Sequence, residues 1–258
     1  MKLQARYIRY LVLLLILLIV AGHEAWVKYR VASWDETLQV RIYAINGDGR
    51  NTTRQYVDKL KPIDFREVEK FVNNEARRHG IAIDAVKLTY GVELFDHPPQ
   101  PPVRGSALDN ILWSLRFRFW ALYWQFTADS AHADINLFVI YFDIAETQAL
   151  QHSVGLRGGL VGLINAFASK DYQGSNNLVI AHELMHTFGA SDKYGPDGEP
   201  IYPEGYADAY QDPLYPQTRA EIMGGRIALS QTSSKMPEGL SNVAVGVITA
   251  LEINWSAD

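Results

Sequence analysis

The sequence predicts an α+β domain behind a short apolar N-terminal helix, and three observations predict it. At 258 residues the chain can bury one substantial core and would strain to hold two. Its 48% apolar and 21% charged content is that of a globular protein rather than a disordered chain or a coiled coil. Runs with strand character, such as Leu38 to Ile45 and Ile135 to Phe142, are interspersed with runs of helical period, and one of those helices places two histidines and a glutamate together.

The N-terminus comes first. Lys2, Arg6 and Arg9 precede the apolar run Leu11 to Val20, the arrangement of an export signal. Ala21-Gly22 offers a signal-peptidase site, which would release the body as a secreted or periplasmic protein. Tyr7 and Tyr10 before the run, with Trp26 and Tyr29 after it, suit instead the interfacial belts of an uncleaved anchor. With Arg9 snorkelling outward, Tyr7 to Trp26 gives roughly 30 Å of helix at 1.5 Å per residue. Residues 1–30 are thus expected to be a signal anchor in contact with the membrane, with a cleaved signal peptide as the alternative. Either leaves the body, residues 31–258, outside the cytoplasm.

Charge and cysteine content narrow the chemistry. Of the formal net charge of −5, residues 1–30 carry +4 (Lys2, Arg6, Arg9, Lys28 and Arg30 against Glu24), which leaves −9 on the rest. An acidic body without basic stripes argues against nucleic acid as a partner. The chain has no cysteine, which excludes disulfides, thiolate metal sites, a cysteine nucleophile and a thiol latency switch.

Along the body, Leu38 to Ile45 reads as a strand ended by the turn Asn46-Gly47-Asp48-Gly49. After Pro62, Phe65, Val68, Phe71 and Val72 recur at helical spacing up to Gly80. Ile81 to Leu94, rich in β-branched residues, reads as a strand, and His97 to Pro102 as a stiff proline connector. Ser106 to Thr127 predicts a helix with two apolar stripes. Leu108, Leu112, Leu115, Phe119, Leu122 and Phe126 form one, and Trp113, Phe117, Trp120 and Trp124 the other. Such a helix is either deeply buried or faces a membrane or cleft. Ile135 to Phe142 suits a central strand, and Gly158-Gly159 opens a further strand over Leu160 to Phe167. Asn176-Asn177 is expected to cap the next helix. A Gly-, Pro- and Tyr-rich stretch runs from Gly195 to Pro216, and Ser241 to Asn254 predicts a C-terminal helix.

The segment from His182 to Asp192, His-Glu-Leu-Met-His-Thr-Phe-Gly-Ala-Ser-Asp, holds the chemistry. At about 100° per residue, His182 and His186 lie within about 40° of each other, one turn apart, so both imidazoles can reach one ion. Glu183 sits beside them, free to act on water without ligating. Gly189 can take a positive φ and end the helix, which turns the chain back and brings the Asp192 carboxylate within reach as a third ligand. Two imidazoles and a carboxylate suit a single zinc ion with the fourth position left for water.

This segment resembles the metzincin clan of zinc peptidases, whose motif continues past the second histidine as x-x-Gly-x-x-His. Asp192 in place of the last histidine is similar to the snapalysin variant. Glu221-Ile222-Met223-Gly224 resembles the clan's methionine turn beneath the metal. The resemblance covers roughly 182 to 224, and before it only the order of elements matches. It implies a twisted mixed sheet, an active-site helix and a C-terminal helix. In site terms it implies His182, His186 and Asp192 on zinc, Glu183 as catalytic base, and Gly189 and Met223 as structural support. Function then follows as endopeptidase hydrolysis of a peptide or protein substrate, lying extended along Leu160 to Phe167 as the edge strand of the sheet. A tyrosine from Tyr194, Tyr202, Tyr206 and Tyr210 would stabilise the oxyanion.

Other readings stand beside it. The alternatives are a non-catalytic zinc-binding envelope protein and a zinc amidase acting on cell-wall peptides. Glu204-Gly205-Tyr206-Ala207-Asp208 imitates a helical third-ligand motif, but Pro203 and Gly205 oppose a helix there. Asp192, Asp197, Glu199, Glu204, Asp208 and Asp212 form an acidic loop region with the ligand type for Ca2+, yet without a calcium-loop spacing they read as solvated loop charge. His79, His97, His132 and His152 are isolated and read as surface or core residues.

Overall fold

The computed structural model describes residues 2–91, 93–102, 105–127, 133–147, 149–150, 152–156 and 160–255. Gly158-Gly159 and His132 therefore lie outside the described residues. The main sheet consists of β1 (Leu38–Asn46), β2 (Val86–Tyr90), β3 (Ile135–Phe142), β4 (Val154–Gly155) and β5 (Val161–Phe167), in the order β2-β1-β3-β5-β4. Four strands pair in parallel, and β4 runs antiparallel along β5, so the sheet is mixed. The helices are α1 (Lys2–Ser33), α2 (Asn51–Val57), α3 (Arg66–Arg78), α4 (Ala107–Thr127), α5 (Gln173–Phe188) and α6 (Val247–Glu252). Short strands β6 (Ala220–Glu221) and β9 (Val243–Ala244) pair in parallel, and β7 (Ile227–Ser230) and β8 (Ser233–Lys235) form a hairpin.

Parallel strands covered on both faces need apolar residues on both, which is why β3 is an unbroken apolar run apart from Asn136. Successive side chains then sort by face. Ile135, Leu137, Val139 and Tyr141 of β3, with Val40, Ile42 and Ala44 of β1, join Val68, Phe71 and Val72 of α3 and Leu178, Ala181 and Leu184 of α5 in one core. Phe138 and Ile140, with Tyr43, Ile45, Val161 and Leu163, join Phe117 and Ala121 of α4 in a second core on the opposite face. The architecture is thus α4, sheet, then α3 with α5. The end of α1 belongs to the domain. Trp34, just beyond it, is buried, its Nε1 donates to the Ile253 carbonyl at 2.7 Å, and its ring packs edge-on against Phe188 at 5.1 Å.

Several expectations need correction. Among the described residues, no helix is long and apolar enough to cross a membrane. The expected spanning anchor is not met there. The helix α1 forms, but its apolar run Leu11 to Val20 gives only about 15 Å against a hydrocarbon core of about 30 Å. The strand expected over Ile81 to Leu94 contracts to β2, whose end coincides with Gly91. Asn176 and Asn177 do not cap α5, which starts at Gln173. Asn176 instead accepts from the Phe167 N–H at 3.1 Å and donates to the Phe167 carbonyl at 2.9 Å, completing the backbone bonds where β5 ends. The C-terminal helix is shorter than Ser241 to Asn254. Val243 and Ala244 are drawn into pairing with β6, and Gly246 precedes the first helical residue.

Candidate metal centre

The site starts from the i, i+4 spacing on α5, which sets the His182 and His186 ring centroids 4.8 Å apart. Each ring is held from behind by a main-chain carbonyl. His182 Nδ1 donates to Ile222 O at 2.9 Å, and His186 Nδ1 donates to Ala190 O at 2.9 Å. A carbonyl can only accept, so Nδ1 carries a proton on both rings and each neutral ring presents its Nε2 lone pair.

Gly189 ends the helix in the left-handed region at φ 117°, and the Ala190 N–H reaches back to Met185 O at 3.1 Å. The reversal carries Asp192 back under the histidines. Its Oδ1 lies 3.2 Å from His182 Nε2 and 3.1 Å from His186 Nε2. Among the described residues this is the group of three or more potential ligands that could hold a metal ion, with one ligand atom from each all within 4.8 Å. Glu204 and Asp208 are not part of it.

The donor set fits a cation. Three lone-pair atoms facing one point repel unless positive charge lies between them, and tetrahedral zinc with bonds of about 2.0–2.1 Å separates its ligands by about 3.3 Å. The protein's own charges lean the same way. Burial alone would raise the Asp192 pKa, but the two imidazoles beside it hold it far below the usual carboxylate range. Burial pushes the His182 pKa down, and the Asp192 and Glu183 carboxylates more than reverse it.

Glu183 is 5% exposed. Burial raises its pKa, and the two imidazoles and a hydrogen bond from Gly155 N to Oε2 partly oppose that. Gly155 belongs to β4, so this strand crosses directly over Glu183, and a Cβ there would strike the Glu183 carbonyl and His186 Cβ. The strand over Leu160 to Phe167, expected from sequence to be the sheet edge, is therefore not the edge. It is flanked by β3 and by β4, and β4 takes the edge position.

Of the four candidate tyrosines, Tyr194 sits at the centre. Its ring stacks on His182 at 6.3 Å, and burial together with the Asp192 and Glu183 charges pushes its phenol up to about 12, so it is a neutral donor at pH 7. Tyr206 instead shares a hydrogen bond with Tyr215 at 2.8 Å, Tyr202 packs edge-on against Tyr206, and Tyr210 is 92% exposed.

Met223 is buried in the core that contains Leu184 and Met185, and its carbonyl accepts from Lys193 N at 2.9 Å. Sequence reasoning missed what braces this turn. The buried Glu221 carboxylate accepts from Met223 N, Gly224 N, Gly246 N and Thr249 Oγ1 at 2.6–3.1 Å. It also missed the tie on the ligand loop. Lys193, 1% exposed, donates to Glu252 Oε2 at 2.8 Å and to Ser191 O at 3.1 Å, and Glu252 accepts from Ser191 N and Oγ. A lysine directly after Asp192 is the only sequence clue. Of the isolated histidines, His79 donates from Nε2 to Val245 O at 2.8 Å, and His97 and His152 are exposed.

No protein-family model matches the chain, and no curated protein matches it. Among solved structures, it is similar to wild-type OgpA from Akkermansia muciniphila at 10% identity and a TM-score of 0.36. The match covers 86% of this chain and 62% of that one, so the chain spans less than two thirds of that protein's length.

Proposed function

We propose that the chain is a zinc-dependent endopeptidase acting outside the cytoplasm. The observation that carries this reading is the convergence of two imidazole Nε2 atoms and the Asp192 carboxylate on one point, beside the buried Glu183. His182, His186 and Asp192 would hold the ion. The chemistry supplied by zinc there would be Lewis acidity, toward a scissile carbonyl and toward water. Glu183 takes the proton of the attacking water at its carboxylate and passes it to the leaving amine nitrogen. Its raised pKa suits that double role, because a carboxyl closer to neutrality both accepts and returns the proton readily. Tyr194, neutral and beside the ligand pair, donates its phenolic proton to the oxyanion as charge develops there.

The short edge strand β4 supports an extended peptide as substrate. It is the edge strand among the described residues, and its Gly155, whose N–H is given to Glu183, lies against that side chain, so a peptide pairing along it by its main chain would pass the base. Such pairing reads backbone rather than side chains, which favours an internal stretch of polypeptide. Placement outside the cytoplasm is supported by Lys2, Arg6 and Arg9 ahead of Leu11 to Val20.

The test is metal analysis with peptide-library cleavage, wild type beside Glu183→Gln. Wild type should hold one zinc per chain and cleave, with activity lost to chelator and restored by zinc. Glu183→Gln should hold the same zinc while kcat falls by about 10²–10⁴, since an amide cannot act as base. Zinc at one per chain with no cleavage of any peptide would replace this reading with that of a metal-bearing scaffold.

A further inference from the structure

Each histidine of the candidate centre is steadied from behind by one main-chain carbonyl, Ile222 O for His182 and Ala190 O for His186. The carboxylate beside them has a main-chain partner as well. Buried Glu183 accepts at Oε2 from the Gly155 N–H, and no other described residue donates a hydrogen bond to the carboxylate. The proton path from water to leaving amine gives that N–H no part. A carboxylate turns easily about its last bond, where the torsion has only a broad preference. Bonding Oε2 to the main chain fixes the plane of the group and leaves Oε1, to which no described residue donates, for the water.

The strand is built to deliver this donor. Leu156 N donates to Val161 O, back into the sheet, and main-chain groups alternate in direction along a strand. The Gly155 N–H therefore points off the edge, away from β5, and meets the side chain of α5. Just before the contact, Ser153 Oγ accepts from Asn165 N at 3.0 Å and fastens the strand to β5 without help from Glu183. A Cβ at residue 155 would lie 2.4 Å from Glu183 O, 2.7 Å from His186 Cβ and 3.1 Å from Glu183 Oε2. Only glycine lets a strand run this close to the helix backbone, and that approach brings the N–H within reach. A bond of the same kind at the opposite edge of the sheet offers a comparison, since Leu88 N of β2 donates to Glu69 Oε2 at 2.6 Å.

We infer that Gly155 is a positioning residue, whose N–H holds Glu183 Oε2 against β4 and so dedicates Oε1 to the water. That role rests on the peptidase reading proposed for the site, whereas the bond itself can be read in the metal-free chain.

Glycolate incorporated in place of Gly155 in the full chain turns the N–H into an ester oxygen and adds no atom that could strike α5. Loaded with zinc, this variant should keep one metal per chain and a KM within about twofold of wild type. Its kcat should fall by about 10–100-fold, as when an outer-shell partner is lost. Glu69→Ala, which removes the comparable bond from the opposite edge, should leave kcat as in wild type. Combined with Glu183→Gln, the ester should cause no further loss, because the base that the N–H positions is already gone. A second readout needs no activity. In the zinc-free chain carrying isotope-labelled glycine, the signal missing from Gly155→Ala is that of Gly155, and its exchange with deuterium should quicken by about tenfold or more in Glu183→Ala. An ester variant with wild-type kcat would overturn the inference, and so would one whose loss lies in KM, which would make the N–H a substrate contact. The same loss in the Glu183→Gln background, or exchange at Gly155 indifferent to Glu183→Ala, would overturn it equally. A wild type that cleaves no peptide would end the peptidase reading instead, and exchange at Gly155 would still decide whether the bond exists.

Discussion

Removing the Asp192 carboxylate takes away the only anionic member of the ligand set while leaving both imidazoles where Ile222 O and Ala190 O hold them. Asp192→Ala should therefore weaken zinc by more than about 100-fold, since even outer-shell changes cost 10–100-fold. Competition with a chelating dye measures this, and wild-type affinity in the variant would mean that another side chain completes the site. Tyr194→Phe makes the complementary prediction. It keeps the ring against His182 and removes only the donor, so zinc content should hold while kcat falls by about 10²–10³ with KM little changed. A fall confined to KM would make Tyr194 a substrate contact instead. These residues differ in how far the sequence exposes them. His182, Glu183 and His186 follow from helical spacing, and Gly189 from the need to reverse the chain before Asp192. Tyr194 was one of four tyrosines in a loop without periodicity, and only three-dimensional packing separates it from Tyr202, Tyr206 and Tyr210.

Elements set the positions that single residues cannot. The loop bearing Asp192 has no regular structure of its own, and its place depends on Lys193 and Glu252, which join it to α6. Burial would raise the Glu252 pKa, and Lys193 and Ser191 more than reverse it, leaving it below the usual value. A carboxylate depressed in the folded state contributes stability above its unfolded pKa near 4.5, and that contribution is lost as pH falls through the folded value. Glu252→Gln should thus be less stable than wild type at pH 7, and urea midpoints of the metal-free proteins should converge as pH drops below about 4.5. A constant gap down to pH 3 would show that the tie is not ionic. Long elements are legible in the sequence and short ones are not. The strands β1, β3 and β5 announce themselves as apolar runs because both faces are covered. By contrast β4 and β9 span two residues each, too few for any period, and α2 lies in a polar stretch with only Thr53 and Val57 buried. Because β4 is one of these, the substrate edge was placed one strand too far inward.

At the scale of the whole molecule, the metal would add a direct link between parts of the chain that one core and the His182–Ile222 hydrogen bond already bring together. A metal held by α5 and Asp192 would link the central helix to a loop fastened to the turn at Met223 and to α6 at Glu252. On the other side of the sheet, α4 packs on Phe138 in the second core. A ligand bound only by the folded state adds about 4 kcal/mol at a thousandfold excess over its Kd, and in a chain of this size each kcal/mol moves Tm by about 2–4 °C. Chelation should therefore lower Tm by about 10 °C in wild type and leave Asp192→Ala nearly unmoved. Hydrogen exchange should show where that stability resides. Removing zinc should speed exchange in α6, in the loop from Ala190 to Tyr194 and around Met223, and leave the amides of α4 and β1 unchanged. Uniform acceleration, α4 included, would mean that the metal supports the fold as a whole rather than the half of the molecule gathered around His182, His186 and Asp192.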